Sequence, residues 1–266
     1  MNLWHSWRYV RRLTGRTRTA SNNRTLSLVL AFVAGAANAG GFLAVQQYTS
    51  HMTGIVSAMA DAVALGTWDV ILTGIGGLMS FIGGSACTAI MVSYARRHRL
   101  ESEYAMPLLL EAMLLLGFGM LGARLHGVQG FLFVPVTVAL LCFIMGLQNA
   151  VVSQYSGAQI RTTHITGLVT DLGIELGRLF YWNRSHGRQY PLYIQADRDH
   201  LWILSLMLLS FFVGGVTGAL GFKHLGYVST VWLALILVVL AVAPVIRDMR
   251  MALRHWRHWR DWNQNQ

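Results

Sequence analysis

Six stretches of the chain are apolar for about the length a helix needs to cross a hydrocarbon layer, roughly 20 residues. They run over about 26–45, 70–94, 106–123, 131–153, 201–222 and 225–246. Two shorter segments interrupt the series. His51–Gly66 and His164–Gly177 stay apolar overall but open on threonine, histidine and glycine, and each is too short to span comfortably. The pattern predicts an all-α fold, a polytopic membrane helix bundle of six spans plus two short partial helices.

The two short segments are copies of one motif. Thr49-Ser50-His51-Met52-Thr53-Gly54-Ile55-Val56 returns 113 residues later as Thr162-Thr163-His164-Ile165-Thr166-Gly167-Leu168-Val169, with five of eight positions identical. Asn38-Ala39 precedes the first copy and Asn149-Ala150 the second, and Ser80-Phe81-Ile82-Gly83-Gly84 is echoed by Ser210-Phe211-Phe212-Val213-Gly214-Gly215. Such internal duplication is the sequence signature of two-fold transporter architectures. It divides the chain into a tail at 1–25, a first membrane repeat at 26–123, a second at 124–246 and a tail at 247–266.

Charge then orients the halves. Apolar residues make up 54% of the chain and charged ones 12%, with a net charge of +10. Nineteen of the 21 Arg and Lys lie in four segments: before Thr25, at 96–99, at 161–198 and after Pro244. Placing all four segments in the cytoplasm satisfies the positive-inside rule, so the basic balance reports topology and anionic lipid and excludes nucleic acid as a partner. For Arg96, Arg97 and Arg99 to stay inside, the first partial helix must enter and leave on the outer side, and the second on the cytoplasmic side. Each half then has three spans, an odd number, so the expected arrangement is an inverted 3+3 repeat. Two fully crossing short helices, giving eight spans and halves of equal orientation, remain the alternative.

Neither cysteine suggests redox or metal chemistry. Cys87 and Cys142 both fall inside predicted spans and read as packing residues. Leu26–Ala34 resembles a secretory signal, but a basic stretch of about 25 residues precedes it and its Asn-Ala ending recurs deep in the chain, so 26–45 reads as a retained span.

The repeated motif carries the candidate site. Hydroxyls at a helix start cap free backbone N–H groups, glycine admits a ligand to the backbone, and the helix start favours an anionic group. The expected solute-binding residues are His51, Thr53, Gly54, Arg161, His164, Thr166 and Gly167, with Asn38 and Asn149 either lining the cavity or bonding between helices. Carboxylates inside apolar segments mark proton relays. Asp61, Asp171 and Glu111 are the expected proton-coupling groups, whereas Glu175 is expected to pair with Arg178. No catalytic group, metal site or cofactor is expected: the chain has no His-Glu-x-x-His and no Gly-x-Ser-x-Gly.

Gly41-Phe42-Leu43 with the first motif, and Gly146-Leu147-Gln148-Asn149-Ala150 with the second, resemble the YoaK family of bacterial multi-pass membrane proteins, a domain of unknown function, over about 26–246. The family pattern often carries Asp near position 39 and Asn after the first Met-Thr-Gly, where this chain has Ala39 and Ile55. The resemblance implies an integral protein of the bacterial cytoplasmic (inner) membrane and names no substrate. The charge pattern puts both termini in the cytoplasm. Trp beside Arg in both tails, as at Trp4, Trp7 and Arg8 and at Trp256, Trp259 and Trp262, suits anionic lipid headgroups. The functional expectation is a secondary transporter of a small polar or anionic solute, with proton coupling and a homo-oligomer both compatible with the sequence. The alternatives are a non-transporting scaffold or sensor and, more remotely, a membrane-embedded enzyme.

Overall fold

The computed structural model describes residues 20–125, 133–155, 165–181 and 195–264. Its elements, in chain order, are α1 (Ala20–Val45), α2 (Met52–Leu65), α3 (Trp68–Arg97), α4 (Ala105–Leu125), α5 (Phe133–Tyr155), α6 (Ile165–Phe180), α7 (Arg198–Leu225) and α8 (Ser229–Gln264). A short 3₁₀ turn at Gly226–Val228 joins the last two, and the described residues contain no strand. Five apolar segments are long enough to cross a membrane. The last, Arg198–Met251, is 54 residues and takes in α7 and the first part of α8. The sixth apolar stretch therefore begins at Ser229 rather than near 225, because Gly226 turns the backbone with φ 60°. Past Pro244 the helix continues through Gln264, so the Trp-rich end is a helical continuation of α8.

The long helices pack in pairs, and the contacts give their directions. Along α1 and α7, Ser210 donates to the Leu28 carbonyl at 2.7 Å, Gly214 lies against Phe32, Gly218 against Ala36 and Phe222 against Gly40. Both residue numbers rise in steps of four, so α1 and α7 run parallel with one ridge row of each in register. The same holds for α3 and α5. Gly77 meets Cys142, Gly84 meets Phe143 and Leu147, and Thr88 donates to the Leu147 carbonyl at 3.0 Å. Between the pairs the sense reverses. Gln148 Nε2 donates to the Leu30 carbonyl at 3.3 Å, while Gly41 lies against Leu141, so α1 and α5 are antiparallel.

Glycine decides how close each pair comes. A Cβ on Gly35 would overlap the Phe211 carbonyl oxygen, and one on Gly214 the Phe32 carbonyl oxygen. In the other pair, a Cβ on Gly146 would overlap the Phe81 oxygen, and one on Gly84 the Phe143 oxygen. Close backbone approach at small residues is what holds membrane helices together where lipid and core are equally apolar.

The short helices lie beside α3 and α7. Ile55 lies within reach of Gly77 and Met59 packs on Gly74, so α2 runs antiparallel to α3. Leu168 clusters with Leu204 and Met207, and Glu175 accepts from the Asp197 amide, so α6 runs antiparallel to α7. Gln46, at φ 55°, turns the chain back after α1, and Phe42 stacks on Tyr48 with ring centroids 4.5 Å apart. By Ser50 the chain is level with Asn38 again, seven residues or about 10 Å below the end of α1. At the far end of α2, Gly66 adopts the left-handed conformation at φ 72° that a helix C-terminus favours and only glycine adopts without strain.

Candidate functional site

A cavity of about 760 Å³ opens where the starts of α2 and α6 meet the middles of the long helices. His51, Met52 and Thr53 line it from one short helix, Ile165 and Thr166 from the other. Asn38 and Asn149 contribute from α1 and α5, and Phe81 and Phe211 from α3 and α7. Ser50, Ser85 and Ser153 add hydroxyls. Residues that share a position in the duplicated motif, 113 apart in sequence, thus face one space.

Local chemistry explains the geometry. The Asn38 amide oxygen accepts from the Ser50 hydroxyl at 2.9 Å and from the Ser50 amide at 3.4 Å, which anchors the returning chain at mid-helix depth. His51 occupies the cap position of α2 but makes no side-chain cap bond, and its ring covers Gly54. A Cβ at Gly54 would overlap that ring, so the glycine exists to seat the histidine rather than to line the cavity. The hydroxyls do not cap α2 as its sequence suggests, and the positive end of its dipole is directed at the cavity without a capping side chain. Ser85 donates to the Gly146 carbonyl at 3.0 Å and so belongs to the α3–α5 contact as well as to the cavity wall.

Several expected site residues lie elsewhere. Asp61 is exposed on α2, in its last turn and a half and away from the cavity-facing start, and Asp171 is exposed on α6. Neither lines the cavity. The reason is rise along the helix: Asp61 is eight residues beyond Thr53, more than two turns or about 12 Å from the cavity-facing start. Glu111 is fully buried in α4 and also outside the cavity. Glu175 pairs with Arg178 at 2.7 Å, as expected, and also accepts from the Asp197 amide at 2.9 Å. Arg161 and His164 lie outside the described residues, and Gly167 is half-buried beside Thr166. Phe81 and Phe211 were not expected in the site; the duplicated Ser-Phe phrase was the signal that pointed to them.

One end of the bundle is tied by ionic contacts. Arg96 pairs with Glu103 and donates to Tyr104 Oη at 2.6 Å. Arg247 pairs with Glu101 at 2.8 Å, and the Asp248 carboxylate accepts from the Glu101 and Ser102 amides at 3.0 and 2.8 Å. The turn between α3 and α4 is thereby clamped to α8.

Comparison with known proteins is consistent with this architecture. A family described as "Protein of unknown function (DUF1275)" matches residues 26–243, which covers both motif copies and runs from α1 into the first half of α8. The chain belongs to this family. It is also 29% identical over 167 residues to the "UPF0700 transmembrane protein YoaK" of Bacillus subtilis (strain 168), an overlap of 62% of this chain and 72% of that relative. No solved structure matches. The family membership, the named transmembrane relative and the apolar helices together make this an α-helical membrane protein.

Proposed function

We propose that this family member is a secondary transporter of a small polar or anionic solute, built as an inverted 3+3 repeat of six spans with two re-entrant half-helices. The observation that carries the reading is the cavity. Paired residues from both halves (Asn38 with Asn149, Thr53 with Thr166, Phe81 with Phe211) surround one space of solute size. Ligand sites of a few hundred Å³ with a few convergent polar groups are the general form of small-molecule pockets. Helix directions support the inversion: α1 with α7 and α3 with α5 are parallel pairs, and the pairs oppose each other. The starts of α2 and α6 then approach from opposite sides. Two dipole ends pointing at a cavity whose described lining residues include no Asp or Glu favour an anionic group over a cation. In this reading the repeats span 26–123 and 124–246, both termini are cytoplasmic in the bacterial inner membrane, and the basic tails meet anionic lipid. In this reading Arg161 and His164, which lie outside the described residues, are further solute-binding groups. The protein performs no covalent chemistry and needs no cofactor.

Uptake into proteoliposomes, screened over small anions and neutral polar solutes with and without a pH gradient, tests the proposal. The expected result is accumulation of one solute class, abolished by Asn38→Leu together with Asn149→Leu. Saturable binding without movement would instead assign a sensor, and neither binding nor uptake of any solute would overturn the reading.

A further inference from the structure

Glu111 is a buried carboxyl that the cavity does not use. It lies at seven-residue spacing with Phe118 on α4 and with Tyr104, the residue just before that helix, so the three form a stripe on nearly one face. Both ends of the stripe are fixed against α5. The Tyr104 hydroxyl donates to the Gln154 carbonyl at 3.4 Å, and Phe118 shares a cluster with Val138, Leu141 and Cys142. The two helices are therefore antiparallel, and Glu111 falls midway, at the level of Leu147 and Gln148.

Hydrogen bonding there is incomplete on both helices. Glu111 and Gln148 each have no exposed surface. Both Glu111 carboxyl oxygens lack a hydrogen-bond partner among the described residues, and so does Gln148 Oε1. The other end of the Gln148 amide is engaged with the Leu30 carbonyl of α1. Three buried acceptor atoms thus lie at one level of the bundle, and none has a hydrogen-bond partner among the described residues. Buried acceptors without donors are costly, and a bare carboxylate in such a place costs far more.

Charged neighbours do not answer the need. On α8, Arg247 and Asp248 are committed near Glu101, and Arg250 lies beyond them. On α3, Arg96 is committed to Glu103 and Tyr104, Arg97 adjoins it, Tyr94 stacks on His98, and Asp69 and Cys87 lie further along. On α5, Cys142 is level with Phe118, and Tyr227 of the 3₁₀ turn packs there too. Cys87, next to Thr88 at the level of Leu147, directs its thiol along α3 to Met91 Sδ at 3.9 Å, and the others sit toward one end or the other of the stripe.

We propose that Glu111 is the proton-binding group of the transporter inferred above, and that Gln148 is its partner. Uptake of one proton converts the carboxylate to the acid, and no other bond forms or breaks. The new O–H then donates to Gln148 Oε1, which gives that oxygen its donor and removes the buried charge. Loss of the proton to water leaves two acceptors opposed. Gln148 precedes Asn149 of the cavity wall and holds α1 through Leu30, so the protonation state acts directly on the crossing of α1 and α5 that carries Asn38 and Asn149. The proposal rests on the transport reading for its purpose, but its test needs no solute.

The full-length protein in lipid vesicles is followed by infrared spectroscopy through a pH titration. The expected result is a protonated-carboxyl band that vanishes with one midpoint, moves when glutamate but not aspartate carries heavy carbon, and is absent in Glu111→Gln. The band stays in Asp61→Asn, and Gln148→Leu moves its midpoint to lower pH because the acid loses its acceptor. A band that ignores glutamate labelling, that survives in Glu111→Gln, that never titrates or that never appears overturns the proposal. Labelling uses the parent protein, so it decides the question even if Glu111→Gln misfolds. Failure here leaves the transport reading standing, whereas an intact band with no uptake refutes only the latter.

Discussion

Gly146→Ala isolates the contact that joins α3 to α5. The added methyl would overlap the Phe81 carbonyl oxygen and lie 2.8 Å from its carbon and 2.9 Å from the Phe81 Cα. Comfortable carbon contacts are about 3.5–4.0 Å, and the obstructing atoms are backbone, so they cannot rotate away. The helices must separate by roughly 1 Å, at an overpacking cost of about 1–3 kcal/mol. Separation also stretches Ser85 to the Gly146 carbonyl and Thr88 to the Leu147 carbonyl, both at 3.0 Å and each worth about 0.5–1.5 kcal/mol. Against this, alanine is the better helix former by about 1 kcal/mol. The net expectation is a loss of about 2–3 kcal/mol, or about 5–10 °C in melting temperature for a chain of this size. Gly76→Ala supplies the contrast, since nothing lies within 4 Å of its position; it should keep or raise stability. Thermal unfolding in detergent, followed by light scattering or intrinsic fluorescence, reads both. If Gly146→Ala melts no lower than Gly76→Ala, the close approach is not what holds the pair, and the reasoning fails.

Gly35→Ala is expected to cost as much as Gly146→Ala, because it meets the Phe211 carbonyl in the same way; the same melts check it. Asp248→Ala removes the carboxylate that accepts two amides at the start of α4 and is expected to cost about 1–2 kcal/mol, read by the same assay. Asp61→Asn, on an exposed face outside the cavity, is expected to stay within about 0.5 kcal/mol of the parent and to leave uptake unchanged. Reporter fusions at residue 100, residue 127 and the C-terminus are expected to read inside, outside and inside, and an inside reading at 127 removes the six-span topology.

The element list was legible in the sequence because a membrane span needs only length and apolarity. That Asn38 and Asn149, and Thr53 and Thr166, occupy matching places was legible because the repeated motif preserves local phrases, and the structure puts all four around one cavity. The role of Asn38 was half legible. A place at the cavity was one of its two open readings, and its bond to Ser50 depends on the sharp return at Gln46, a positive-φ turn without a glycine to signal it.

Which polar residues face inward was decided only by tertiary structure. Asp61, Asp171 and Glu111 looked alike along the chain, each a carboxylate in an apolar run, yet the first two are exposed and the third is fully buried. In water, an apolar stripe marks the core-facing side of a helix. Here lipid and protein interior are both apolar, so α3 is apolar on every side although only 22% of its membrane window is buried. The sequence by itself therefore determined that the chain is a set of apolar helices carrying one Thr/His/Thr/Gly motif twice. The faces came from the glycine contacts that lock α1 to α7 and α3 to α5, since backbone-to-backbone fit, not hydrophobicity, sets how each helix is turned.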